Sequence, residues 1–268
     1  MPLGAANLNL LSRYVPSESI PSNLDAIDLR QDESPTAYYT DTTITPTSLS
    51  ASRYCTLSMW LSAYETQDTF NRLLDIRTGS TSTTDWMVNI AATNQLQFVM
   101  TITNQRNRIR STQTTGLWDG SWHHMLVVFD NENSANCKMY IDGTEEGSSI
   151  LVNSTYDFAY DSIQGIGVGD DIASFTNGWD GKVAQIWMDN SYQDDITKFY
   201  DTTNNKAKWL GTDGTATGLS QPLIFHYGDT SNFPTNNGRS SGSYLSGYTL
   251  ASAGGTITAI DIPLWRYQ

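Results

Sequence analysis

The chain has 268 residues and a mass of 29.7 kDa, with 15 Lys and Arg against 28 Asp and Glu, a net charge of −13 and a pI near 4.4. That balance excludes the basic face needed to displace counterions from nucleic acid or to adhere to an anionic membrane. Eight Trp, fourteen Tyr and eight Phe require a core and exclude disorder, and sparse Glu and Lys beside abundant Thr, Ser, Asn and Val predict an all-β fold.

In chain order, residues 1–35 are punctuated by Pro2, Pro16, Pro21 and Pro35, and their apolar residues follow no period. They read as an extended N-terminal arm, either loosely ordered or docked on a partner. Met1 to Asn7 has no basic start and no long apolar stretch, so it predicts no secretory signal. No apolar run approaches the ~18 residues of a membrane helix.

Strands follow from residue 36. Cys55, Leu57, Met59 and Leu61 alternate onto one face, and Phe70 to Ile76 is a second strand. Trp86 to Ile90 and Leu96 to Met100 form a hairpin around Asn94. Arg106, Arg108 and Arg110 share one strand face and read as a solvent-facing row. Trp122 to Phe129 and Lys138 to Ile141 come next, the latter closed by the turn signal Asp142-Gly143. Ile163 to Val168 and Val183 to Met188 complete the set, and Tyr192 to Tyr200 predicts one short helix capped by Ser191. Trp60, Trp122, Phe129, Tyr140 and Trp187 are expected in the core. Cys55 and Cys137 read as buried thiols, or as a disulfide if their strands are neighbours. Glycines recur through residues 203–268, which either complete the sandwich or flank it as a small β unit. The expected architecture is a two-sheet antiparallel sandwich with a helix near 191–200.

Four motifs carry a resemblance: Gly120-Ser121-Trp122-His123-His124 with its apolar strand, Tyr140-Ile141-Asp142-Gly143, Ile166-Gly167-Val168-Gly169, and Trp179-Asp180-Gly181-Lys182-Val183. In this order they resemble laminin-G-like domains of the concanavalin A-like jelly-roll superfamily, over residues 36–202. The tail pieces Gly211 to Gly214, Gln221 to Asp229, Asn236 to Gly238 and Tyr248 to Leu250 are similar to the tails of laminin-G-like proteins of tailed bacteriophages.

The resemblance admits glycanase chemistry, which needs two carboxylates on one sheet. The six Glu (Glu18, Glu33, Glu65, Glu132, Glu145 and Glu146) form no Glu-x-Asp-x-x-Glu strand, so no enzyme is expected. His123 and His124 face opposite ways on a strand, and His226 stands alone; all three are expected to be structural. Asp130-Asn131-Glu132-Asn133 and Gly169-Asp170-Asp171 offer oxygen ligands for calcium without completing a loop signature. No other cofactor is expected.

The phage resemblance implies a non-enzymatic virion structural protein, a capsid decoration or tail-associated component made in a host cytoplasm. Other virion proteins are its expected partners, and residues 1–35 would help hold a homo-oligomer. The alternative is a carbohydrate-binding module for surface glycans, with or without calcium, using Trp86, Trp118 or Trp179 as platforms. Nucleic acid and membrane are not expected partners.

Overall fold

A computed structural model describes residues 23–29, 38–41, 44, 49–63, 71–78, 84–91, 93–102, 105–112, 116–146, 148–152, 157–169, 178–239, 251–253 and 257–263. The strands of the first half are β1 (Asn23–Leu29), β2 (Tyr38–Asp41), β3 (Tyr54–Ala63), β4 (Arg72–Thr78), β5 (Thr84–Ile90), β6 (Leu96–Ile102), β7 (Gln105–Arg110) and β8 (His123–Asp130). They are followed by β9 (Lys138–Ile141), β10 (Thr144–Glu145), β11 (Ser148–Leu151), β12 (Ile163–Val168) and β13 (Gly181–Asp189). The last are β14 (Tyr200–Asp201), β15 (Lys206–Ala207), β16 (Ile224–His226), β17 (Ala251–Ala253) and β18 (Ile257–Pro263).

Two antiparallel sheets face each other, as the strand spacing predicts. The first runs β10-β9-β8-β3-β13-β1-β18, with β16 also pairing β13; the second runs β11-β7-β6-β5-β4-β12-β2-β17. Inward residues of both sheets meet in one cluster: Leu57, Met59 and Leu61 of β3 and Val127 and Phe129 of β8 face Trp86, Val88, Phe98 and Ile109. This period-two burial is the alternation read from the sequence.

The first sheet is buried on its outer face as well. Leu126, Val128, Tyr140, Trp187 and Phe225 pack there under Phe199, Leu210 and Leu219, and Trp60 and Ala184 pack under Tyr200. The segment 190–239 is therefore a third layer, and it explains why Thr56 and Ser58, the polar positions of β3, are buried too. Thr56 Oγ1 donates to the Ser191 carbonyl at 2.7 Å, and Ser58 Oγ lies 2.9 Å from His124 Nε2.

Three expectations need correction. The helix over 191–200 is a single 3-10 turn, Ile196–Lys198, capped by Asp195, whose carboxylate accepts from the Thr197 amide; Ser191 is not the cap. An extended approach through Gln193 to Asp195 lets Tyr192 reach the Asn136 carbonyl. Trp122 precedes β8 and is only half-buried, against Trp60 and Tyr200, while Phe129 and Trp187 are fully buried. Finally, part of the arm has a place in its own domain. β1 lies between β13 and β18, with Ile27 opposite Val183 and Ala259, and Ile27 and Leu29 enter the core. The hydrophobic residues Leu24, Ala26, Ile27 and Leu29 are those of a strand, not of a free arm. Residues 1–22 lie outside the described residues.

Candidate functional site

The second sheet's outer face differs from its inner one. On β5, β6 and β7 the residues Trp86, Val88, Ile90, Leu96, Phe98, Met100 and Ile109 turn inward. Their neighbours therefore line the outer face in cross-strand rows. One row is Arg110, Gln97, Asn89 and Arg72; a second is Arg108, Val99, Met87 and Asp75. A bulge between Arg72 and Leu74 brings Arg72 round to the face of Asp75.

These polar groups are fixed to one another. Arg110 Nε donates to Gln97 Oε1 at 2.9 Å, and Gln97 Nε2 donates to Asn89 Oδ1 at 2.7 Å. Arg72 Nη1 donates to Asp75 Oδ2 at 2.8 Å, with Arg77 Nε at 3.8 Å from the same oxygen. Asp75, Asn89, Gln97 and Val99 are all buried, although they line a face that does not carry the core. Val99 and the half-buried Met87 form an apolar strip in the middle of the second row, beside Gln97 and Asn89 of the first. Burial, and behind it the charges of Arg108 and Arg106, pull Arg110 below the ordinary arginine value.

This arrangement fixes buried donors and acceptors beside an apolar strip, with the half-buried Arg72, Arg77, Arg108 and Arg110 around them, the composition of a small-molecule site. Asp75 is the one carboxylate among the described side chains of the face, and it is engaged by arginine. The sequence reading missed Arg72, Asp75, Arg77, Asn89 and Gln97. The Asn94 hairpin does place Asn89 opposite Gln97, which is the signal that marks them.

The residues singled out in the sequence have other roles. Trp86, Trp118 and Trp179 cannot serve as platforms, because all three are buried. Trp86 sits on the inward side of β5 against Phe158 and Tyr160, with ring centroids 5.2 and 4.9 Å away, and Trp118 packs edge-on against Trp179 at 5.9 Å. Among the described residues the half-exposed aromatics are Tyr54, Trp122, Tyr192, Trp209 and Tyr227, of which Tyr192, Trp209 and Tyr227 belong to the first sheet's cover.

His123 and His124 do face opposite ways. His123 Nδ1 lies 2.7 Å from Asp142 Oδ2, and Asp142 Oδ1 accepts from the His124 amide at 2.8 Å, so this motif ties β8 to the β9–β10 turn. Burial works against a charge on His123, but hydrogen bonds and charge from Asp142 and Asp119 outweigh it and raise its pKa. His124 is fully buried between Trp60 and Tyr200, and burial pulls its pKa down to about 3. His226 is also buried, with its pKa lowered to about 4, and its Nδ1 donates to the Phe233 carbonyl at 2.7 Å.

The Asp130 loop does not fit calcium. Asp130 is buried and accepts from Arg53 Nε and Nη2, Asn136 Nδ2 and the Glu132 amide at 2.8 to 3.1 Å. A cation there would have to displace Arg53. Asn131 is committed to Asn107 Nδ2 at 2.8 Å, and Asn133 caps the Ser134–Asn136 turn. Asp170 and Asp171 lie outside the described residues. Among the described residues no group of three or more His, Cys, Asp or Glu is arranged to hold a metal. Glu132 and Glu145 are exposed and Glu146 half-exposed; Glu18, Glu33 and Glu65 lie outside the described residues. Cys55 and Cys137 are buried free thiols, and burial pushes their pKa values up to about 12 and about 11. No helix among the described residues is long and apolar enough to cross a membrane.

Comparison with known proteins places these features. The family described as the concanavalin A-like lectin/glucanases superfamily matches residues 36–192, more than half of the chain. No curated protein matches. Among solved structures, the heptameric SAP-like pentraxin from Limulus polyphemus is similar at 11% identity and a TM-score of 0.52, covering 90% of this chain and 96% of its own. A candidate carbohydrate-binding protein from Bacteroides ovatus is similar at 13% identity and a TM-score of 0.55, covering 90% of this chain, which spans 61% of that protein. Domains LG4-5 of the mouse laminin α1 chain are similar at 11% identity and a TM-score of 0.45, covering 63% of this chain and 43% of that one.

Proposed function

The chain belongs to the concanavalin A-like lectin/glucanases superfamily, and on that premise we propose that it is a non-enzymatic carbohydrate-binding module whose site is the outer face of its second sheet. The observation that carries this reading is the buried polar network on that face, Arg110-Gln97-Asn89 beside Arg72-Asp75-Arg77. A face that only met water would need no amide pair held in one orientation. Sugar hydroxyls are both donors and acceptors, and fixed planar amide, carboxylate and guanidinium groups match them at little ordering cost. The Val99-Met87 strip suits the apolar face of a sugar ring. Hydrolysis is not proposed, because Asp75 is tied to Arg72 and no second carboxylate stands beside it among the described side chains of the face.

A glycan array probed with the intact protein tests this reading. Saturable hits that weaken at least about tenfold in Asn89→Ala, with the fold retained, are expected from the loss of a fixed hydrogen-bonding group. Absence of any saturable hit overturns it.

A second reading rests on the tail motifs around Gly211 to Asp229: a structural component of a phage particle, acting through other virion proteins and copies of itself. Mass spectrometry of purified virions tests it, since a structural role requires stoichiometric copies and their absence removes it.

A further inference from the structure

We infer that the glycan recognised by this face is acidic, carrying carboxylate or sulfate groups that are read by Arg106, Arg108 and Arg110 of β7. The inference rests on the carbohydrate-binding reading and names the ligand class.

Three of the chain's fifteen cationic residues stand at alternate positions of one six-residue strand, in a protein of net charge −13. Alternation puts all three on the outer face, because Asn107 and Ile109 between them are buried toward the inside, Asn107 on Asn131 and Ile109 in the core. Their Cα atoms follow one another about 6.6 Å apart, from a rise of ~3.3 Å per residue. Like charges at that spacing repel. Arg110 registers the repulsion, being pulled below its ordinary value by burial and then by Arg108 and Arg106.

The other arginines of the face are matched by a carboxylate: Arg72 and Arg77 share Asp75. The β7 row is not. Arg110 commits its Nε to the neutral Gln97, and Arg108 Nε is buried and makes no hydrogen bond among the described residues. Arg106 is exposed. A buried guanidinium N–H without an acceptor costs stability unless a ligand supplies one. A carboxylate or sulfate oxygen supplies it with charge and in a bidentate geometry, and relieves the mutual repulsion. The row spans about 13 Å, longer than one sugar ring, so it fits successive residues of a polysaccharide.

The polar floor argues for sugar over a bare anion. Gln97 is bonded to Arg110 on one side and Asn89 on the other, which joins the basic row to the neutral hydroxyl-binding groups in one continuous surface.

The test is binding of the full chain to matched panels of neutral, uronate-bearing and sulfated oligosaccharides, with single-stranded DNA as a further polyanion. The expected result is preference for the acidic panels, weakening as salt rises, and a loss of about tenfold or more in Arg108→Gln for a charge-assisted bond. Thermal melting verifies that the variant folds. Lys208→Gln, which removes a cation from the first sheet's cover, should bind as the parent does. The uronate and sulfate arms identify which anion is read. Binding to neutral panels alone overturns the acidic assignment and leaves the carbohydrate-binding reading standing; binding to no panel overturns both. Equal binding of DNA, or acidic binding unchanged in Arg108→Gln, overturns the role of β7.

Discussion

Gly181 shows how a single residue in a family motif is fixed by close packing. A Cβ there would lie 2.0 Å from the Ser62 carbonyl oxygen and 2.7 Å from Trp179 Nε1. Neither can retreat, since Ser62 is in β3, paired with Lys182, and Trp179 is buried. Gly181→Ala should therefore lower stability by at least about 2 kcal/mol in urea unfolding, the scale of overpacking; a loss under about 1 kcal/mol would show that β3 and β13 shift to make room. The buried histidines give a second prediction. His124 and His226 have folded pKa values of about 3 and about 4 against an ordinary 6.5, so the unfolded chain takes up their protons first. Their contribution is present above pH 6.5 and is lost as pH falls toward those values, by up to about 1.4 kcal/mol per pH unit for each. His123, raised instead, contributes fully below pH 6.5 and so leaves this slope unchanged. Unfolding midpoints should fall between pH 6.5 and pH 5, and His124→Gln should remove about half of the fall. A flat profile in both proteins would contradict the burial of the two rings.

Elements show where sequence reading succeeds and where it stops. The hairpin around Asn94 and the Asp142-Gly143 turn were legible because turn chemistry is local: Asn94, Asp142 and Gly143 all have positive φ, which those residue types tolerate. The inward faces of β3, β5, β6 and β8 were legible for the same kind of reason, a period of two. The third layer was not. Trp60 and Trp187 were expected to be buried and are, but on the outer side of their strands together with Leu126, and nothing local says that residues 190–239 return to cover that side. The candidate site was half legible. Arg106, Arg108 and Arg110 stand out, but the buried network beside them depends on a bulge at Arg72 and on which strands are neighbours. The same limit hid β1, whose partners β13 and β18 lie more than 150 residues away in sequence. It follows that a chain starting at residue 36 loses an interior strand of the first sheet, not an appendage. Such a chain should unfold or aggregate, as judged by circular dichroism and light scattering. If it keeps its fold and melting temperature, β1 is dispensable and does not hold a place between β13 and β18.

At the scale of the whole molecule, the two sheets divide the work. The first is buried on both faces, sealed by residues 190–239, and the Arg239–Asp189 ion pair fastens the far end of that cover back to β13. The second is free of that cover and carries the fixed polar rows. The proposed binding face is therefore the second sheet's, although Trp209 and Tyr227 on the cover are half-exposed aromatics of the kind a sugar platform would ordinarily use. The two locations are separated most directly by NMR titration of the intact protein with an oligosaccharide that binds it, following side-chain resonances. Saturable shifts of the Asn89 and Gln97 amide groups and of the Arg110 Nε–H, with Trp209 Nε1–H unmoved, are the predicted result. Shifts confined to Trp209 and its neighbours, with Asn89 and Gln97 unmoved, would contradict it.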